Sequence, residues 1–142
     1  MTTETTAEQK TEKPGISAAI IVQGDKVLMV RRAVKEGALS WQFPAGAIED
    51  GETAEQAAVR ETSEETALEV KALRQIGHLP KHPKSGREMF YTACEVISGE
   101  ARVADDEELD AVAWITHAEI ADYVPYGLFG PVQEYLDDVL PH

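Results

Sequence analysis

The chain has 142 residues, with 13 Lys and Arg against 26 Asp and Glu, so its formal net charge is −13. This length suits a single domain with a substantial core, and 43% hydrophobic with 27% charged residues is typical of a globular protein. The acidity disfavours binding to a nucleic-acid polymer or to an anionic membrane, because both carry negative charge. The apolar runs are far shorter than the roughly 20 residues of a membrane span. The polar start lacks the apolar stretch of a secretory signal, and the lone Cys94 fits a reducing compartment, so we expect a cytoplasmic protein.

The negative charge is concentrated in separate segments. Residues 46–68 hold seven acids and one base, residues 98–110 hold six acids and one base, and residues 117–142 hold five acids without Lys or Arg. Such clusters belong either to a solvated surface or to one cation site that two segments build together. Composition alone does not distinguish the solvated surface from the cation site.

The predicted elements begin after a polar N-terminal segment. Residues 1–15 end in Pro-Gly and are predicted to form a disordered arm, with a single domain over residues 16–142. The first half of that domain is predicted to contain a hairpin of two strands, a loop, a short extended piece, a shaped loop rich in Gly and Pro, and a helix. Their predicted bounds are Ile16–Val22, Lys26–Arg32, Ala33–Ser40, Trp41–Phe43, Pro44–Gly51 and Thr53–Thr66. Thr53 and Gln56 have the spacing of a capping box, which supports that helix start.

The second half of the domain alternates strands with helices near the end. Strands are predicted over Leu68–Leu79, Met89–Ile97 and Ala111–Ile115, and helices over His117–Tyr123 and Phe129–Leu140. Strands on both sides of a central helix predict an α/β fold with a mixed sheet covered by helices.

The central helix places acids where an amphipathic helix carries its apolar side. At about 100° per residue, Ala54, Ala57, Ala58, Glu64 and Glu65 all lie within roughly 60° of Glu61. Like charges at this spacing destabilise a helix, and a bound divalent cation would remove the repulsion. Three carboxylates suit Mg²⁺ or Mn²⁺ better than zinc. A metal site is favoured over a solvated helix face.

The same segment resembles the Nudix box, the signature of Nudix hydrolases. Gly46 is followed by Glu52 and then by the run Arg60-Glu61-Thr62-Ser63-Glu64-Glu65 at the family's spacing, and Trp41–Gly46 resembles the loop that leads into the box. Thr62 stands where the family prefers an aliphatic residue, and Ala67 stands where it has glycine. Neither departure removes a carboxylate.

The resemblance implies a Nudix-type α/β/α sandwich that hydrolyses a nucleoside diphosphate linked to another group. It implies Mg²⁺, with Mn²⁺ as a possible replacement, bound by Glu61, Glu64, Glu65 and the carbonyl of Ala45, and Glu64 is also the predicted catalytic glutamate. Gly46 would let the backbone approach the metal and would permit a positive φ. Glu52 and Arg60 are expected to pair and to brace the loop against the helix.

Several further residues have both a functional and a structural interpretation. Arg32 matches the family position that contacts substrate phosphate, but adjacent arginines are commonly surface charges. Gln42 and Phe43 are candidates for contacting a base, whereas core packing is the alternative for Phe43. Glu108 is a candidate general base or further metal ligand, and the alternative is a solvated acidic loop. The four histidines show no zinc-ligand spacing and are expected at turns or on the surface, and Cys94 is expected in the core.

Three functions remain open at this stage. The leading one is hydrolysis of ordinary or oxidised (d)NTPs, a small-molecule nucleotide substrate, by a monomer or homodimer. An ADP-ribose or nucleotide-sugar pyrophosphatase is the second, and a catalytically silent nucleotide-sensing Nudix domain is the third. Silent members usually lose box glutamates, and this chain keeps them.

Overall fold

The computed structural model describes residues 13–32, 40–83 and 85–142. Most of the predicted arm and nearly all of the predicted loop at residues 33–40 lie outside these ranges. Within these ranges seven strands form one sheet, with bounds β1 Ile16–Gln23, β2 Lys26–Arg32, β3 Ser40–Gln42, β4 Ala45–Ala47, β5 Glu69–Leu79, β6 Met89–Ser98 and β7 Leu109–Thr116. The helices are α1 Ala54–Thr66, α2 Ile120–Tyr123 and α3 Gly130–Val139, and a 3₁₀ turn at His117–Glu119 leads into α2.

The sheet is mixed, as predicted. Its main order is β3-β2-β1-β6-β5, with β4 on β1 and β7 on β2. β1 runs parallel to β6, and the other pairings are antiparallel. The hairpin of β1 and β2 turns at Gly24, whose φ of 62° explains glycine there.

Helices cover both faces of the sheet because the central strands are apolar on both sides. Ile20 and Met29 face a core that includes Leu136 of α3. Ile21 and Leu28 point the other way, into a core that includes Ala58 of α1. This alternation is the two-residue period of a strand buried on both faces, and it confirms the predicted α/β/α sandwich.

One element was missed within the predicted loop at Pro44–Gly51. Its first residues form β4, in which Ala45 pairs with Ala18 and Ala47 pairs with Ile16. The pairing partner is remote in sequence, so local Gly and Pro content predicted only a loop. β4 therefore holds the main chain of this loop beside α1, the helix that carries the acidic residues.

No helix within the described ranges is long and apolar enough to cross a membrane.

Candidate active site

Helix α1 begins as predicted and carries the three box glutamates. The Thr53 hydroxyl accepts from the Gln56 N–H at 3.0 Å, and the Gln56 side chain accepts from the Thr53 N–H at 2.9 Å. This reciprocal capping box fixes the helix start and therefore the direction in which its side chains project.

The inward face of α1 is rotated relative to the prediction. Ala57, Ala58 and Glu65 are buried as expected, but Thr62 and Thr66, which lie outside the face predicted around Glu61, are also fully buried. Glu64, assigned to the inward face, has a side chain 57% exposed. The prediction gave weight to the small alanines, whereas the buried surface of the helix also includes both threonines.

Glu65 is the most deeply placed carboxylate of the helix. The residue is 4% exposed, and its Oε1 has no hydrogen-bond partner in the described part of the chain. Burial raises its pKa to about 8, and the charge of Glu61 acts in the same direction. A hydrogen bond from the Ala45 backbone and the positive charge of Arg32 oppose that shift. An unpartnered buried carboxylate oxygen is costly unless a proton or a cation is bound to it.

Glu61 lies against the loop at Gly46. A Cβ at residue 46 would overlap the Glu61 carboxyl group, so glycine is required by this close approach. Gly46 is not among the described glycines with positive φ, so the conformational part of the prediction was wrong. Burial raises the pKa of Glu61, and the neighbouring Arg60 partly offsets the shift.

Arg60 and Glu52 form the predicted pair. Arg60 Nε and Nη2 lie 2.7 Å and 2.9 Å from the two Glu52 carboxylate oxygens, and Nη2 also donates to the Ala47 carbonyl at 3.0 Å. The Arg60 hydrogen bond, with one from the Glu49 backbone, holds the pKa of Glu52 down at about 2. A bidentate pair that also reaches the loop main chain joins the loop to the helix.

Arg60 also forms hydrogen bonds with two of the acids that are predicted to bind the metal. Its Nη1 lies 3.1 Å from Glu61 Oε2 and 3.2 Å from Glu64 Oε1. Among the described residues, Glu61, Glu64 and Glu65 do not form one compact group of donor atoms. Glu61 and Glu65 contact each other, while Glu64 is held toward Arg60.

The second acidic segment docks on the end of the same helix. The Ala104 N–H donates to the Glu65 carbonyl at 2.9 Å, and the Arg102 N–H donates to the Thr66 carbonyl at 3.0 Å. The segment then brings Glu108 to Arg32, with 2.6 Å between Glu108 Oε1 and Arg32 Nη2. The two acidic clusters are therefore neighbours in the fold.

The residues predicted to contact a base occupy different environments. Gln42 is half-buried on β3, opposite Val30 of β2. Phe43 is buried in the core, which favours the packing interpretation that the sequence left open. Neighbouring Trp41 is partly exposed, contacts the Tyr123 ring at 4.9 Å between centroids, and lies 5.5 Å below the Arg31 guanidinium. The sequence pattern indicated neither Tyr123 nor the Arg31 contact, because tertiary packing creates this aromatic group.

The donors around Glu65 fit a hard cation. Carboxylates from α1 and the main chain of β4 meet there, and oxygen ligands are those that Mg²⁺ and Mn²⁺ prefer. A cation would provide the partner that the buried Glu65 Oε1 lacks among the described residues.

Comparison with known proteins decides the family. The model of the NUDIX domain matches residues 13–134, which is most of the chain. The chain belongs to the Nudix family.

Related Nudix proteins differ in name and length. An NAD-capped RNA hydrolase, NudC, of Photobacterium profundum is 33% identical over 122 residues, covering 84% of this chain and 45% of that protein. A Bacillus subtilis protein provisionally named an 8-oxo-dGTP diphosphatase is 31% identical over 102 residues, covering 72% of this chain and 65% of that protein. In these and other curated relatives, the matched region spans from about a quarter to about two thirds of the relative's length.

Solved structures of the family share the fold. A NUDIX hydrolase from Nitrosomonas europaea superposes with a TM-score of 0.73 at 26% identity, covering 89% of this chain and 88% of that one. An ADP-ribose pyrophosphatase from Streptococcus suis gives a TM-score of 0.61 at 25% identity, covering 74% and 75% of the two chains.

Proposed function

We propose that this Nudix protein is an Mg²⁺-dependent pyrophosphohydrolase acting on (d)NTPs, including oxidised ones. The observation that carries the proposal is the buried, unpartnered oxygen of Glu65 beside Glu61 and the Ala45 main chain. An acidic protein needs a cation to hold a pyrophosphate, and this is the place where the fold leaves a carboxylate ready for one.

Residues of the proposed site divide into ligands and braces. Glu61, Glu65 and the Ala45 carbonyl would hold the metal, and Glu64 would join them by leaving Arg60. Bound there, Mg²⁺ would neutralise charge on the phosphates and lower the pKa of a coordinated water. The Arg60–Glu52 pair keeps β4 against α1 throughout, because its bidentate contact does not involve the ligand atoms.

Arg32 and Glu108 would serve the substrate side of the site. The positive charge of Arg32 lowers the pKa of Glu65, and we assign its guanidinium to a phosphate held near that carboxylate. Binding of a phosphate to Arg32 would release Glu108, which then becomes available to accept a proton from the attacking water. In this hydrolysis the water oxygen would bond to one phosphorus of the α–β anhydride while the bridging P–O bond breaks. The products are a nucleoside monophosphate and pyrophosphate, and the proton of the water passes to Glu108.

The choice of substrate rests on the relatives and on the aromatic group at Trp41. The Bacillus subtilis relative, of which the match covers 65%, is provisionally named for 8-oxo-dGTP. Partly exposed Trp41 offers an indole ring to a base, whereas Gln42, the next residue of β3, faces the other side of the strand. The likeness to an ADP-ribose pyrophosphatase structure supports hydrolysis of ADP-ribose or a nucleotide sugar as the second candidate.

A substrate panel tests the proposal. The protein is incubated with dNTPs, 8-oxo-dGTP, ADP-ribose and UDP-sugars, with Mg²⁺ or with excess chelator, and products are separated by chromatography. We expect nucleoside monophosphate and pyrophosphate from a triphosphate, and loss of turnover in chelator. Preferred release of AMP and ribose 5-phosphate from ADP-ribose would select the second candidate.

A matched pair of variants separates catalysis from silence. Glu64→Gln is expected to lower turnover by orders of magnitude, while Glu55→Gln, on the same helix but outside the proposed ligand set, should retain it. Absence of turnover on every substrate, together with nucleotide binding, would instead support a nucleotide-sensing domain.

A further inference from the structure

Three potential metal ligands meet at the C-terminal end of the chain. His117 lies in the 3₁₀ turn after β7, Asp137 lies in α3, and His142 follows that helix. One ligand atom from each residue can be chosen so that all three atoms lie within 4.8 Å of one another. We refer to these residues as the histidine cluster.

Short contacts already hold the cluster together. His117 Nε2 lies 2.7 Å from Asp137 Oδ1, and His142 Nε2 lies 2.9 Å from the Asp137 carbonyl oxygen. The two imidazole rings are stacked, with 4.0 Å between centroids and 20° between planes. The Gln133 amide donates to Asp137 Oδ1 at 2.8 Å, as the outer partner of a metal-binding carboxylate commonly does.

We propose that the histidine cluster binds a divalent transition metal, with Zn²⁺ as its natural occupant. Two imidazoles and one carboxylate suit zinc, whereas Mg²⁺ prefers oxygen ligands alone. In a tetrahedral zinc site the ligand atoms lie about 3.3 Å apart, given bonds of about 2.0 Å. Rotations of the partly exposed side chains can close the difference from the present spacing.

The charge around the cluster also favours a cation. Residues 117–142 contain five acids and neither Lys nor Arg, so any compensating positive charge within this segment must come from histidine or from a bound ion. Zinc would bind with water in the remaining position, because three protein ligands leave one tetrahedral site open.

This site is separate from the proposed pyrophosphohydrolase site. Lys26 pairs with Thr116, next to His117, whereas Arg32 pairs with Leu109 at the other end of β2. Six residues of strand place these two ends about 20 Å apart. The zinc would therefore act on structure, joining α3 to the end of β7, and would take no part in the hydrolysis.

Calorimetric titration of the full chain with Zn²⁺ tests the proposal. The titration is made in saturating Mg²⁺ and in a Glu65→Gln background, so that zinc binding at the carboxylate site is weakened. We expect one zinc per chain and a rise in melting temperature. His117→Ala, Asp137→Asn and His142→Ala should each weaken zinc binding by at least about tenfold, since even outer-partner changes cost that much. His78→Ala, which alters an exposed histidine paired with Glu88, should bind zinc as the parent does.

The outcomes distinguish this proposal from the hydrolase. Equal zinc affinity in all four variants, or no binding to the parent chain, would overturn it and leave the cluster as a hydrogen-bonded cap of α3. Because His142 lies outside the catalytic residues, His142→Ala should keep Mg²⁺-dependent turnover while losing the zinc-induced rise in melting temperature. Retention of that rise in folded His142→Ala would also contradict the proposal.

Discussion

Arg32 at the end of β2 and Glu108, directly before β7, form an ion pair with 2.6 Å between Nη2 and Oε1. Arg31 and Asp110 form a second pair at 2.7 Å on the same two strands. Exposed ion pairs of this kind contribute only about 0–1 kcal/mol to stability. The importance of the first pair lies in its position, because Arg32 lies near enough to Glu65 to lower its pKa. In the proposed mechanism, a phosphate bound to Arg32 would free Glu108 to accept a proton.

Replacement of Glu108 tests that position. Glu108→Gln should reduce turnover at saturating Mg²⁺ by at least about tenfold, which corresponds to roughly 1.4 kcal/mol in the barrier. Glu107→Gln is the matched control, because exposed Glu107 is the adjacent acid, whereas the hydrogen bond from Arg32 goes to Glu108. Steady-state kinetics of both variants measures the difference. Equal, small effects would assign this acidic segment to the solvated surface and leave a box glutamate as the base.

Ala67 is strained at the end of α1. Its φ of 65° is left-handed, a conformation that costs a residue with a Cβ roughly 1–2 kcal/mol. Glycine at this position, as in the family, avoids that cost but gains freedom in the unfolded chain. Ala67→Gly should therefore raise the free energy of unfolding by about 0.5–1 kcal/mol in urea denaturation. Ala118→Gly, in the exposed 3₁₀ turn without positive φ, should lower it.

Thr62 carries a buried hydroxyl without a partner. Its residue is fully buried, and Oγ1 makes no hydrogen bond in the described part of the chain. Thr62→Val keeps the shape and removes the unsatisfied group, so we expect a gain of about 1 kcal/mol in the free energy of unfolding.

The matched control lies one turn along the helix. Thr66 is equally buried, but its hydroxyl donates to the Thr62 carbonyl at 2.7 Å. Thr66→Val should therefore destabilise the protein, by about 1 kcal/mol. A gain in both variants, or a loss in both, would show that the missing hydrogen bond is not what distinguishes these threonines.

The parts of the fold that depend on neighbours in sequence could be predicted. The capping box of Thr53 and Gln56 fixed the start of α1, and the β-rich runs located most strands. The pairing of β4 with β1 could not be predicted, because three residues are too few to show the alternating pattern of a strand. The inward rotation of Thr62 likewise depends on which surface the helix meets.

The residues of the candidate sites could likewise be predicted only where their contacts are local in the sequence. Helical spacing grouped the three glutamates of α1, and the resemblance to the Nudix box implied the Arg60–Glu52 pair. The histidine cluster was missed, because His117 and His142 are separated by a helix and their spacing matches no zinc motif. The Arg32–Glu108 contact also required the pairing of β2 with β7.

Removal of the Glu65 charge separates metal binding from folding. Glu65 is buried with an unpartnered oxygen, so the metal-free protein bears the cost of its desolvation. Glu65→Gln should leave the metal-free protein at least as stable as the parent, while Mg²⁺ should no longer raise its melting temperature. For the parent, a Mg²⁺ concentration of 100 times Kd should add about 2.7 kcal/mol.

The Glu55→Gln change, at a half-buried residue of the same helix, is the control for this experiment. It should leave the Mg²⁺-dependent stabilisation in place, because Glu55 lies outside the group formed by Glu61, Glu65 and the Ala45 main chain. Melting curves at increasing Mg²⁺, recorded for the parent and both variants, measure the effect. An undiminished Mg²⁺ response in Glu65→Gln would place the cation elsewhere and remove the physical basis of the proposed hydrolase site.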